Sequence, residues 1–215
     1  MKKIAVILSG CGVYDGAEIH EATMALYAIV KHGCTYGIFA PDRNQHHVIN
    51  HMTGEEMNET RNVLVEAARI ARGTIADLKT FDPAAYDGLL LPGGFGAAKN
   101  LSSWAFDGPD ATVLPEVEEA IKGMVSLNKP VGALCIAPVI LAKLFGDVEI
   151  TIGSDPGTAE AVEAVGATHV TATHGEVVVD SKRKLVTTPC YMLDATIVQI
   201  ADGAENVVKE MLKLM

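Results

Sequence analysis

Apolar and polar positions along the chain switch between two periods. Ile4 to Leu8 form an unbroken apolar run that stops at Ser9-Gly10-Cys11-Gly12, and Ile19, Ala22, Leu26, Ile29 and Val30 then recur at helical spacing. This pattern predicts a strand, a glycine-rich turn and a helix. A second strand, Tyr36 to Phe39, stops at Pro41-Asp42. Leu89-Leu90-Leu91 is a short apolar strand of the kind buried on both faces of a parallel sheet, and Pro92-Gly93-Gly94 ends it. Val117, Ala120, Ile121 and Met124 mark one face of a helix. Pro130 to Leu134 is the next strand, Cys135 stands at its end, and a helix is predicted over 137–145.

In the last third, Ile150 to Ile152 predicts a strand and Thr158 to Val165 a short helix closed by Gly166. The segments 177–179 and 185–187 flank a polar turn and pair as an antiparallel hairpin. Ile200, Ala204, Val207, Val208 and Met211 line a final amphipathic helix. Alternation of this sort implies an α/β fold in three layers, a mostly parallel sheet with helices on both faces. No linker, repeat or low-complexity tract interrupts it. The expectation is one domain over 1–215, with the stretch at about 44–73 as an elaboration.

Charge and cysteine content narrow the function classes. The formal net charge is -10 and the 17 Lys and Arg are scattered, so counterion release has no source and nucleic acid is not an expected partner. An acidic surface resists anionic membranes, and no apolar stretch approaches the roughly 20 residues that cross a bilayer. Met1-Lys2-Lys3 and the short apolar run behind it read as a first strand, not a signal peptide. Four cysteines, far apart and without a CxxC pair, fit a reducing compartment. Together these features predict a cytoplasmic location.

In an open α/β sheet the ligand crevice lies beyond the carboxyl ends of the strands. Cys11, Cys135 and Cys190 all follow strands. Cys135 has the strongest case, because a sharp strand-to-helix turn holds its side chain out of the sheet near a helix N-terminus, where the dipole favours thiolate. The same turn offers the Ile136 N–H to a developing oxyanion. In LLLPGGFGAAKNL, Gly93 and Gly94 let backbone N–H groups approach a ligand without Cβ obstruction. Cys11 and Cys190 read as packing thiols. His46, His47 and His51 lack a further ligand of suitable spacing, so neither metal nor cofactor is expected. His174 is the histidine to consider as a remote base, although isolated histidines mostly satisfy local hydrogen bonds.

PVGALCIAP resembles the nucleophile elbow of the PfpI and parkinsonism-associated deglycase superfamily, which is class I glutamine amidotransferase-like. LLLPGGFGAAKNL resembles its oxyanion loop and EVVVDSKRKLVTTP its C-terminal hairpin. VILSGCGVYDGAEIHEA, APDRNQHHVINHMTGE and TRNVLVEAARIARG are similar to the glyoxalase ElbB family, so the resemblance spans nearly the whole chain. It implies a flavodoxin-like sandwich, a homodimer, and a catalytic Cys135 served by a carboxylic acid from the first helix. The matching position is Glu18, with Glu21 the weaker candidate. Without the resemblance, Glu18 reads as a residue that caps its helix or complements the dipole.

Two departures bear on activity. Ile136 stands where many superfamily members carry His, and no histidine falls in a segment resembling the glutaminase His-Glu pair. Both count against amidotransferase and protease activity. The implied activity is a cofactor-independent glyoxalase of hydro-lyase type, in which Cys135 adds to glyoxal and glycolate is released. Its partner would be a small dicarbonyl or a glycated adduct. Members of the family have carried an isoprenoid-biosynthesis label, for which this sequence holds no prenyl-chemistry motif. The alternative class is a redox or electrophile sensor at Cys135 with no dedicated substrate.

Overall fold

The computed structural model describes residues 1–215. β1 (Lys3–Ile7), α1 (Ile19–Lys31) and β2 (Thr35–Ala40) open the chain, followed by α2 (Val63–Ile70) and the short β3 (Ala76–Asp77). β4 (Gly88–Leu91), α3 (Phe95–Lys99), α4 (Trp104–Asp107) and α5 (Pro115–Ser126) lead to β5 (Val131–Leu134) and α6 (Pro138–Phe145). β6 (Glu149–Ile150), α7 (Pro156–Ala164), β7 (Thr168–His169), the hairpin β8 (Val178–Asp180) and β9 (Leu185–Thr188), and α8 (Ile197–Leu214) complete it.

Seven strands form one sheet in the order β3-β2-β1-β4-β5-β9-β8. Every pairing in it is parallel except β8 with β9. Strand side chains alternate between the two faces. Ile4, Val6, Leu90, Leu134 and Val186 join a core with α1, α2 and α8, while Ala5, Ile7, Leu89, Leu91 and Val131 join one with α5 and α6. The result is a flavodoxin-like three-layer α/β sandwich. The strand predicted at 150–152 is shorter than expected and pairs only with β7, outside the main sheet.

α1 buries Ala22 and Ile29 of its expected stripe but is rotated away from Ile19 and Val30. Ile19 and Val30 of α1 are 44% and 58% exposed, and the buried stripe is Glu21, Ala22, Ala25, Ala28 and Ile29. The reason is steric: α1 packs against α8, whose buried stripe includes Gly203 and Ala204, and small side chains on both helices permit close approach. Glu21 is carried inward with the alanines.

The elaboration begins as an irregular hairpin, bridged at Asn44 to Asn62 and Ile49 to Glu56, before α2 returns against β2. It is tied to the rim of the sheet by polar side chains. Asp15 accepts from the Ile49 N–H at 2.7 Å and Asn100 from the His46 N–H at 2.9 Å.

Candidate active site

Cys135 follows β5 in the left-handed region, with φ 59°, a conformation that costs a non-glycine residue about 1–3 kcal/mol and persists only where its surroundings impose it. The surroundings are visible. Its N–H donates to the Thr188 carbonyl at 2.9 Å, continuing the β5 to β9 ladder, and the Ala137 N–H closes the turn on the Leu134 carbonyl at 3.0 Å. Pro138 then starts α6. The chain therefore reverses at the cysteine, and the side chain stands off the end of the sheet.

The loop after β4 packs against this turn. A methyl group on Gly93 would stand 2.3 Å from Cys135 Cβ, 2.6 Å from Glu21 Oε2 and 2.9 Å from Cys135 Sγ, so only glycine fits. The Gly93 N–H donates to Glu21 Oε2 at 2.9 Å, and its carbonyl accepts from the Glu18 N–H at 2.9 Å. Gly94, at φ 94°, is hemmed in by the Gly16 carbonyl and the Glu18 N–H. The N–H groups of Gly94 and Ile136 lie near the Cys135 sulfur and favour its ionised form. Of the three residues expected to bind an oxyanion, Gly94 and Ile136 bring their N–H groups to the sulfur, whereas the Gly93 N–H is given to Glu21.

The carboxyl group beside the sulfur belongs to Glu21, which is fully buried and shares the space over Gly93 with the Cys135 side chain. Its other oxygen, Oε1, accepts from the Tyr191 N–H at 3.2 Å. Glu18, expected at this place, instead caps α1: its Oε2 accepts from the Glu21 N–H at 2.7 Å. The correction has a simple geometric cause. Glu18 precedes the first helical residue, and Glu21 lies one turn later on the face turned to the sheet.

Burial, and next the neighbouring charge of Glu18, push the Glu21 carboxyl up to about 8. It is therefore mostly protonated at neutral pH. The Cys135 thiol is also pushed up, by burial first and then by the charge of Glu21, against the pull of the Gly94 and Ile136 N–H groups. The expectation that the helix terminus lowers it is not met, because the thiol is only 7% exposed and desolvation outweighs the dipole. With Glu21 protonated, its charge no longer opposes ionisation of the sulfur, and the two N–H groups favour thiolate.

The other candidates separate from this site to different degrees. Cys190 is buried, also left-handed at φ 43°, and its thiol is pushed up by burial and then by Glu21 and Cys135. Cys11 is half-buried beside Glu66, and His174 is exposed. His46 lies on the Phe106 ring at 4.1 Å, and His51 Nε2 accepts from the Tyr14 N–H at 3.2 Å. No group of three or more His, Cys, Asp or Glu is placed to hold a metal ion.

A cavity of about 360 Å³ opens beside Cys135. Val13, Phe95, Ile136 and Met192 give it apolar walls, and Asp155, Thr158 and Tyr191 supply its polar side chains. Tyr191, which nothing in the sequence singles out, meets His20 Nδ1 with its hydroxyl at 2.8 Å. No local signal marks a tyrosine after a hairpin.

Comparison with known proteins places this geometry. The chain is 48% identical to the mitochondrial ES1 protein homolog of Rattus norvegicus, over 99% of this chain and 84% of that protein. It is 47% identical to the human mitochondrial glutamine amidotransferase-like class 1 domain-containing protein 3, over 99% of this chain and 83% of that one. The expected cytoplasmic location does not stand against these relatives, both of which are named as mitochondrial. A crystal structure of an isoprenoid biosynthesis protein with amidotransferase-like domain from Ehrlichia chaffeensis superposes with TM-score 0.93 at 34% identity, covering 100% of this chain and 99% of that one. Glyoxalase III from Candida albicans shares the fold, with TM-score 0.65 at 16% identity over 100% of this chain and 97% of that one. The sequence pattern described as the DJ-1/PfpI family matches residues 2–191, and the chain belongs to that family.

Proposed function

We propose that the protein is a glutathione-independent glyoxalase that converts glyoxal to glycolate on Cys135, as its resemblance to the ElbB family implies. The observation that carries this reading is the pairing of a buried, mostly protonated Glu21 with a sulfur held between the N–H groups of Gly94 and Ile136. Thiolate addition to one carbonyl of glyoxal forms the C–S bond of a hemithioacetal. The new alkoxide takes its proton from Glu21, which is left as the carboxylate and is restored to its acid form only when the thioester is hydrolysed. Glu21 as carboxylate then removes the hydrogen on the sulfur-bearing carbon and returns it to the neighbouring carbon through an enediol. The product is a glycolyl thioester. Water cleaves its C–S bond, releasing glycolate and the free thiol, so the overall reaction adds one water to glyoxal and needs no redox partner.

In this reading Glu21 takes the role that the sequence resemblance gave to Glu18. The small, mainly apolar cavity suits a two-carbon or three-carbon dicarbonyl. The working form is a homodimer, which light scattering would report as twice the mass of the chain. Steady-state turnover of glyoxal, methylglyoxal and glutamine by one preparation tests the assignment. Dicarbonyl consumption without glutamine hydrolysis is expected. Release of ammonia from glutamine with no dicarbonyl turnover would overturn it.

A further inference from the structure

We infer that the Cys135 cavity admits neutral or cationic carbonyl compounds and turns away anionic ones, with Asp155 as the residue that sets this selectivity. The inference deepens the proposed function by naming its substrate class. It rests on that reading for the word substrate, though not for the selectivity itself.

The charge inventory of the cavity is one-sided. None of the chain's 17 Lys and Arg residues and none of its 7 His lines it, and its one ionisable carboxylate open to a ligand is that of Asp155. Asp155 is fixed in place as the cap of α7. Its Oδ2 accepts from the Thr158 N–H at 2.8 Å and from the Thr158 hydroxyl at 2.7 Å. Oδ1 takes no protein donor. The Thr158 hydroxyl and then its N–H hold the carboxyl below its ordinary value, so it stays charged across the neutral range.

Two basic side chains, Lys99 and His20, approach the walls without lining the cavity. Lys99 lies 5.3 Å from the centre of the Phe95 ring, with its ammonium given to the Tyr14 carbonyl at 3.0 Å. His20 meets the Tyr191 hydroxyl. The remaining walls are apolar, and an anion entering them loses hydration without gaining a charged donor. The N–H groups of Gly94 and Ile136 are already directed at the sulfur, where they serve an oxygen on the reacting carbon. A carboxylate or phosphate elsewhere on the substrate finds no second anion hole. α-Oxo acids and phosphorylated aldehydes are therefore poor ligands, and dicarbonyls with hydrogen, alkyl, aryl or amino-bearing substituents are good ones.

Alkylation of Cys135 by iodoacetamide and by iodoacetate tests this independently of any turnover. Each rate is divided by that of free cysteine with the same reagent, and the alkylated site is read by mass spectrometry. The neutral reagent is expected to be favoured by about tenfold or more at low salt, narrowing as salt screens the carboxylate. Asp155→Asn keeps a helix-capping side chain and should shrink the preference towards that of free cysteine. Glu118→Gln, at a solvent-accessible position of α5 outside the cavity, should leave it unchanged. Equal normalised rates at low salt, or a preference that persists in Asp155→Asn, would overturn the inference. If the protein turns over glyoxal but alkylates without charge preference, the selectivity fails and the glyoxalase reading stands. If charge preference holds and no dicarbonyl is consumed, the reverse is true.

Discussion

The Glu21 carboxyl and the Cys135 sulfur meet over the bare Cα of Gly93, where a methyl group would stand 2.6 Å from Oε2 and 2.9 Å from Sγ. Three segments far apart in sequence make that contact: the first turn of α1, the loop after β4 and the elbow after β5. The Gly93 N–H holds Oε2 and the Tyr191 N–H holds Oε1, so the carboxyl has little rotational freedom. Its protonation state and that of the sulfur are consequently one property of the site.

Exchanging the two glutamates for glutamine should separate their roles. Glu21→Gln preserves shape but loses the proton relay, and its kcat for glyoxal should fall by about 10²-fold or more. Glu18→Gln keeps a side-chain oxygen to accept from the Glu21 N–H, so the α1 cap and turnover both survive. It removes a charge that raises Glu21, so the basic limb of the pH profile should move to lower pH. Steady-state kinetics and thermal melts of both variants check this. The opposite ranking would return the acid to Glu18.

Stability should carry the signature of Glu21. Its carboxyl titrates near 4.5 in the unfolded chain and near 8 in the folded one, so between those values the folded protein holds more protons. The contribution is complete below about pH 4.5 and is lost as pH rises through about 8. Glu21→Gln does not titrate. The melting temperature of the native protein minus that of the variant should therefore fall between about pH 5 and pH 8. A difference that stays flat or rises would refute the raised carboxyl.

Gly93→Ala should damage chemistry more than folding. The added methyl strikes Cys135 Cβ at 2.3 Å as well as the carboxyl, and the loop must retreat. Overpacking of this kind costs about 1–3 kcal/mol, and displacement of the reacting groups should lower kcat by about 10²-fold. A folded Gly93→Ala protein with native turnover would show that the loop does not define the site.

Cysteine substitutions distinguish the elbow from the other thiols. Cys135→Ser should abolish glyoxal consumption, since the hydroxyl is a far weaker nucleophile and Ile136 stands where a histidine could have activated it. Cys11→Ser should retain most activity, because Cys11 does not line the cavity. Loss of turnover in Cys11→Ser with survival in Cys135→Ser would move the nucleophile.

Much of this architecture was legible in the sequence. Short apolar strands such as Leu89-Leu90-Leu91 lie at the sheet centre and admit only one kind of environment, and the α8 stripe from Ile200 to Met211 falls on one buried face. The elbow was legible because strand, cysteine and helix are contiguous. The choice between Glu18 and Glu21 was not, because it depends on where α1 starts and which way it is rotated. Bulky Ile19 and Val30 suggest one face, whereas close packing on Gly203 and Ala204 selects the alanine face. The informative pattern was Glu21-Ala22, Ala25 and Ala28-Ile29, an acid heading a small-residue stripe. Tyr191 and the charge balance around Asp155 depend on loops brought together only by the fold.

Carbon-13 NMR of labelled glyoxal with the purified native protein, Cys135→Ser and Glu21→Gln reads the proposed conversion at the level of its product. Glycolate is expected from the native protein, none from Cys135→Ser, and strongly slowed release from Glu21→Gln. Unchanged glyoxal with the native protein, or glycolate formed equally well without the Cys135 thiol, would contradict the proposed conversion.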